Sequence, residues 1–122
     1  MRHSPRTFAL LVMLFWAGAL HAQYPMRPIN LVVPFPAASD ADLAARNLAA
    51  HAPRYLNGQT IVVTNQPGAS GSIGTQAVLG AAPDGYTLLL ARIASHVILP
   101  ATDPKTPYRS SDFTQLALLE IN

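Results

Sequence analysis

Apolar residues along this chain fall into one long run and several short ones. Thr7 to Leu20 (TFALLVMLFWAGAL) is almost wholly apolar. After it the runs are short, and polar or Gly/Pro-containing stretches separate them. Ile29 to Val33 (INLVV) is rich in β-branched residues and is closed by Pro34-Phe35-Pro36, which predicts a buried strand ending at a stiff loop. Ala37 to Ala52 is rich in Ala and Leu, with Ser39 or Asp40 placed as a helix cap. Ile61 to Thr64 predicts a second strand, and Asn65-Gln66-Pro67-Gly68 a turn. From Ser70 the apolar positions Ile73, Ala77, Val78 and Ala81 make a helical stripe, which Pro83-Asp84-Gly85 stops. Tyr86 to Leu90 (YTLLL) predicts a third strand. Pro100 to Pro107 reads as loop, and Phe113 to Leu119 as the start of a further strand.

Near-continuous apolar strands alternating with helices predict an α/β fold, a parallel sheet with flanking helices. In such sheets ligands bind beyond the carboxyl ends of the strands, where loops lead into helix N-termini. Two loops occupy that position here, Pro34 to Asp42 and Asn65 to Gly74.

The long run has a different meaning. Met1 to Arg6 carries two arginines and no acid, and Leu20-His21-Ala22 precedes Gln23-Tyr24-Pro25. A charged start, an apolar stretch and a small residue before a polar break are the marks of a secretory signal peptide over residues 1–22. The run falls short of the ~20 apolar residues of a membrane span. An uncleaved membrane anchor is the alternative, and a lipid anchor is not expected because no cysteine follows. Export changes the charge balance. The chain has 8 Lys and Arg against 6 Asp and Glu, and two of the arginines are Arg2 and Arg6, so residues 23–122 are formally neutral. No basic stripe remains to bind nucleic acid. The 122 residues amount to one domain at most, and cysteine is absent, so neither disulfides nor thiolate metal sites are available.

The second loop reads NQPGASGSIG. Gly68, Gly71 and Gly74 let backbone approach a ligand without Cβ interference. The helix beginning near Ser70 to Ser72 offers unpaired N–H groups and a positive dipole end, which favour a carboxylate or phosphate. The same residues equally make a helix cap and tight turn with no ligand. A dinucleotide fingerprint is not met, since no G-x-G directly follows the strand, and a phosphate-binding P-loop lacks its Gly-Lys-Ser/Thr. In the first loop, PFPAASDAD, Phe35 walls a pocket or belongs to the core. Ser39 donates to a ligand or caps the helix. Asp40 and Asp42 offset the dipole in the first helical turn. His96 and Ser95 follow the third strand, and His96 is a ligand contact or an ordinary satisfied histidine. No Ser, His and Asp set stands in a catalytic context and no metal spacing appears, so neither catalytic residues, metal nor cofactor are expected.

Several stretches, in order, resemble one family. They are Tyr24-Pro25 with Arg27-Pro28-Ile29, Leu31 to Ala37 (LVVPFPA), Asp42 with Ala45-Arg46, Val62 to Gly74 (VVTNQPGASGSIG) and Ala82 to Leu90 (APDGYTLLL). Weaker matches continue through Ala94-Ser95-His96 and Asp112 to Leu119. The chain resembles the solute receptors of tripartite tricarboxylate transporters, the Bug or TctC-like proteins. The resemblance implies a two-lobed, type II periplasmic binder closing on a small organic carboxylate, monomeric when complete, and serving membrane transporter subunits. The resemblance thus implies a binder and not an enzyme. Carried over, the first-loop contacts are Pro36, Ala37, Ala38, Ser39 and Asp42. Those of the second loop are Ala69, Ser70 and Ser72, and Ser95 and His96 match the third.

Three positions depart from the family pattern. Ala38 and Ser39 stand where PFPAGG has two glycines, and Ser70 replaces one glycine of PGAGG. Where such a residue has positive φ, its Cβ costs roughly 1 kcal/mol. Family members are also much longer. Residues 23–122 are therefore expected to form an incomplete first lobe, with the second lobe absent and sheet edges unpaired. Two other readings stand beside the receptor: a truncated gene product without function, and a small exported hydrolase using Ser39 or Ser72. The lack of a G-x-S-x-G elbow speaks against the hydrolase.

Overall fold

A computed structural model describes residues 24–119. The signal peptide expected over residues 1–22 lies outside them. Strand β1 (Ile29–Val33) leads to helix α1 (Asp40–His51), a 3-10 turn (Ala52–Tyr55) and β2 (Ile61–Asn65). A second 3-10 turn (Ala69–Gly71) opens α2 (Ser72–Leu79), which is followed by β3 (Thr87–Leu89). A π-helical turn (Ala94–Ile98) runs into the short helix α3 (Leu99–Thr102), and a last 3-10 turn spans Ser110–Asp112.

The strands form one sheet in the order β2-β1-β3, with both pairings parallel. Ile29 lies opposite Ile61, and Asn30 lies opposite both Val62 and Thr87. As the central strand, β1 is covered on both faces. Its consecutive residues Leu31, Val32 and Val33 are all buried, as an apolar run without alternation requires. Helix α1 packs on β1 and β2, and α2 packs on β1 and β3. The core joins Leu31, Val33 and Leu90 to Ala41 and Ala45 of α1, with Leu48, Ile61, Val63 and Leu88 packed around them.

Local chemistry sets the helix starts. Ser39 has extended backbone and its hydroxyl accepts from the Asp42 N–H at 3.3 Å, which makes it the N-cap of α1. Pro100 falls in the first turn of α3, where its missing N–H costs no helical bond. This helix occupies part of the stretch that reads as loop. Two further expectations are corrected. Phe113 to Leu119 forms no strand; Phe113 instead packs edge-on against His96 and Tyr108, and Leu116, Leu118 and Leu119 are exposed. The apolar stripe of α2 is not its buried face. Ile73 is 53% exposed, whereas Ser72, Gly74 and Thr75 are buried. A Cβ on Gly74 would stand 2.9 Å from Pro34 Cα, so the absence of a side chain sets which face approaches the sheet. The Thr75 hydroxyl is satisfied internally, donating to the Gly71 carbonyl at 2.8 Å. Among the described residues no helix is long and apolar enough to cross a membrane.

Candidate ligand-binding site

Because all three strands run parallel, the loops after Val33, Asn65 and Leu89 share one edge of the sheet. The first loop exposes Pro36, Ala37 and Ala38, and Ala38 takes a left-handed φ of 62°. Ser39, at φ −71°, does not. Only the first of the two positions where the family has glycine therefore carries the strain of a Cβ. The loop is held from below by Asp42, which is 1% exposed. Its Oδ2 accepts from the Ala38 N–H at 2.8 Å and from Arg46 Nε at 2.9 Å, and its Oδ1 accepts from Asn65 Nδ2 at 2.9 Å. Asn65 also donates to the Phe35 carbonyl at 3.2 Å, and Arg46 Nη2 donates to Asn65 Oδ1 at 3.3 Å. The Arg46 guanidinium and the Ala38 and Asn65 donors hold the Asp42 carboxyl at a pKa of about 2, below the usual range.

The second loop has four successive residues at positive φ: Gly68 at 131°, Ala69 at 46°, Ser70 at 56° and Gly71 at 92°. Ala69 and Ser70 carry the Cβ cost there, of order 1 kcal/mol each. Both are exposed and open the turn leading into α2, where the first amides of a helix have no intrahelical acceptor. Ser72 is buried, and its hydroxyl accepts from Gln76 Nε2 at 2.9 Å.

The third loop sits behind the second. A Cβ on Gly71 would lie 2.7 Å from Ser95 Cβ and 3.5 Å from Phe35 Cζ, so three loops meet at this glycine. Phe35 thus serves core and site together. Ser95 and His96 are both buried. Their carbonyls accept from the Tyr108 hydroxyl, at 2.6 Å, and from the Ser110 hydroxyl. The His96 ring packs edge-on to Phe113, and its Nε2 lies 3.1 Å from Gln115 Nε2. Its Nδ1 is buried with no partner among the described residues, and burial lowers the imidazole pKa. Arg92 pairs with the Asp40 carboxylate, tying this loop to the start of α1.

The expected site residues therefore fall into two layers. Pro36, Ala37, Ala38, Ala69 and Ser70 are exposed at the edge, with Ser39 half-buried beside them. Asp42, Ser72, Ser95 and His96 lie beneath as a buried second layer. Sequence reasoning missed Asn65, Tyr108 and Gln115; a polar Asn ending an otherwise apolar strand was the one available signal. Ser39 and Ser72 hydrogen-bond to a backbone amide and to Gln76, and neither is activated by histidine among the described residues. No group of three potential metal ligands occurs among them either. An open cavity of about 340 Å³ lies at the opposite end of the sheet, lined by Tyr24, Ile29, Leu48, Tyr55 and Ile61. Its wall is almost wholly apolar and lacks convergent polar groups, so the loop edge, not this groove, is the candidate site.

The three-stranded parallel sheet with flanking helices and loops gathered at one edge superposes on solved periplasmic binding proteins, which places the fold in that class. The chain belongs to the TctC family, the tripartite tricarboxylate transporter family receptors, whose profile matches residues 44–121. Protein BugT of Bordetella pertussis is 44% identical over 87 residues, covering 70% of this chain and 26% of BugT. MatC from Rhodopseudomonas palustris, solved with bound malate, superposes with a TM-score of 0.74 at 38% identity, covering 79% of this chain and 33% of MatC. The periplasmic binding protein BugD is 50% identical with a TM-score of 0.52, covering 54% of this chain and 22% of BugD. The chain spans about a third of the length of the curated relatives it matches, or less, from 26% to 35%.

Proposed function

We propose that this chain is part of a periplasmic receptor that holds one carboxylate of a small organic acid at the loop edge and serves a tripartite tricarboxylate-type transporter in the membrane. Residues 1–22 direct export, and residues 23–122 form the first part of a binding lobe. The observation that carries this reading is the exposed left-handed backbone of Ala38, Ala69 and Ser70 on one edge. Strain of this kind persists where it shapes a site. That a relative, MatC, was solved with malate supports the choice of ligand.

In this reading the carboxylate oxygens accept from amides of the Ala69–Ser70 turn, from the Ser70 hydroxyl, and from the Ala37 amide and the Ser39 hydroxyl, since the Ala38 and Ser39 amides are taken by Asp42 and the Pro36 carbonyl. The start of α2 adds its dipole. Pro36 shapes the edge, while Asp42, Ser72, Ser95 and His96 complete the site from below. Two hydrogen bonds to a charged group, at about 1.5–3 kcal/mol each, correspond to roughly millimolar affinity.

Calorimetric titration at constant ionic strength tests this with malate, citrate and adipate, using dimethyl malate as the uncharged control. At least one diacid or triacid binds and the ester does not. A folded sample that binds none of the acids, or binds the ester equally, removes the receptor reading.

A further inference from the structure

We infer that Asp42 serves the site through the backbone alone: with Asn65 and Arg46 it is the positioning residue that locks Ala38 in its left-handed conformation and fixes the first loop. As a statement about ligand binding, this rests on the receptor reading above.

Asp42 is buried and both its oxygens are taken, by the Ala38 amide, Arg46 Nε and Asn65 Nδ2, all at 2.8–2.9 Å. No exposed oxygen remains for a ligand, and a carboxylate repels an anion at short range. Its contacts run instead to the loop. It holds Ala38 directly, and through Asn65 it reaches the Phe35 carbonyl, so the loop is gripped at two points. Alanine at φ 62° is disfavoured, and the conformation persists only where its surroundings over-determine it. Hydrogen bonds to an ionised acceptor are about twice as strong as neutral ones, which suits this carboxylate to the task. Arg46 supplies the countercharge from a half-exposed position on the same helix, four residues on.

The test is a double-mutant cycle on the full chain with Asp42→Asn, Ala38→Gly and both together, read by urea unfolding and by malate titration. In the unsubstituted background, glycine at 38 removes the Cβ strain and raises the folding constant about fivefold. With Asp42→Asn the loop relaxes, and the same glycine gives no gain or a loss. Asp42→Asn weakens malate binding at least tenfold. The double variant recovers to within threefold of the parent, because glycine adopts the left-handed conformation freely. An equal glycine gain in both backgrounds, or loss of malate binding that glycine does not rescue, overturns the inference. If Asp42→Asn does not fold, Arg46→Gln replaces it in the cycle, since that side chain is half exposed. If the parent chain binds neither malate, citrate nor adipate, the receptor reading fails, while the folding half of the cycle still decides the clamp.

Discussion

Two buried ionisable side chains of opposite kind sit in the second layer of the site, and each gives the protein its own acid sensitivity. The Asp42 pKa is depressed to about 2, so its contribution is complete above the unfolded value near 4 and is lost as pH falls through about 2. His96 is depressed by burial. Below about pH 6.5 the unfolded chain takes up the proton more readily than the folded one, and stability falls with pH until the folded value is passed. Urea midpoints measured from pH 8 down to 2 should therefore fall in two steps, one beginning near pH 6.5 and one near pH 4. His96→Gln should flatten the upper one and Asp42→Asn the lower one. A single step, unmoved by either variant, would contradict these assignments. At this scale the sequence was partly legible. The type of residue at each strand end could be read, but not that Asp42 points beneath the loop or that Tyr108 and Gln115 arrive from far along the chain, because tertiary approach decides both.

Among the elements, α2 shows most clearly how packing governs the site. Its three glycine neighbourhoods differ, and alanine substitution should rank them. Gly71→Ala meets Ser95 at 2.7 Å with φ at 92°, and should cost about 2–4 kcal/mol. Gly74→Ala has no φ penalty but meets the Gln66 carbonyl at 2.8 Å, and should cost about 1–3 kcal/mol. Gly80 has helical φ of −80° and nothing nearer than 3.6 Å, so Gly80→Ala should gain about 0.5 kcal/mol. Chemical denaturation of the three variants checks the order, and a costly Gly80→Ala would contradict it. The strands, α1 and its Ser39 cap were legible because apolar runs and cap chemistry are local. The face of α2 was not, because a stripe of apolar residues marks buried positions only where side chains set the spacing, and here Gly74 sets it. Phe113 to Leu119 misled for a related reason. Its apolar residues resemble a strand, but in the described structure Phe113 is drawn off to His96.

At the scale of the whole molecule, the described residues keep much apolar surface in water. Tyr55, Ile93, Val97, Leu116 and Leu118 are all more than half exposed. Exposed apolar side chains in this number offer contact to other apolar surfaces. The chain should enhance the fluorescence of an anilinonaphthalene dye under native conditions and sediment with rising apparent mass as concentration increases. A dye-silent, concentration-independent monomer would show that these side chains are covered in solution. Mass spectrometry of the periplasmic fraction tests export in the same sample: processing after Ala22 leaves a chain beginning at Gln23, and an intact Met1 would count against it.

The sheet order has a further consequence, in time instead of space. Strand β1 is first among the described strands and central in the sheet, yet both of its partners lie far along the chain. Ile29 waits for Ile61, and Asn30 waits for Thr87 as well. No hairpin can nucleate this sheet, and each pairing first requires closure of a long loop. A chain emerging N-terminus first therefore presents its most water-averse strand before any partner exists. Arrival of β3 and Leu90, not of β1, is the event that lets the core close.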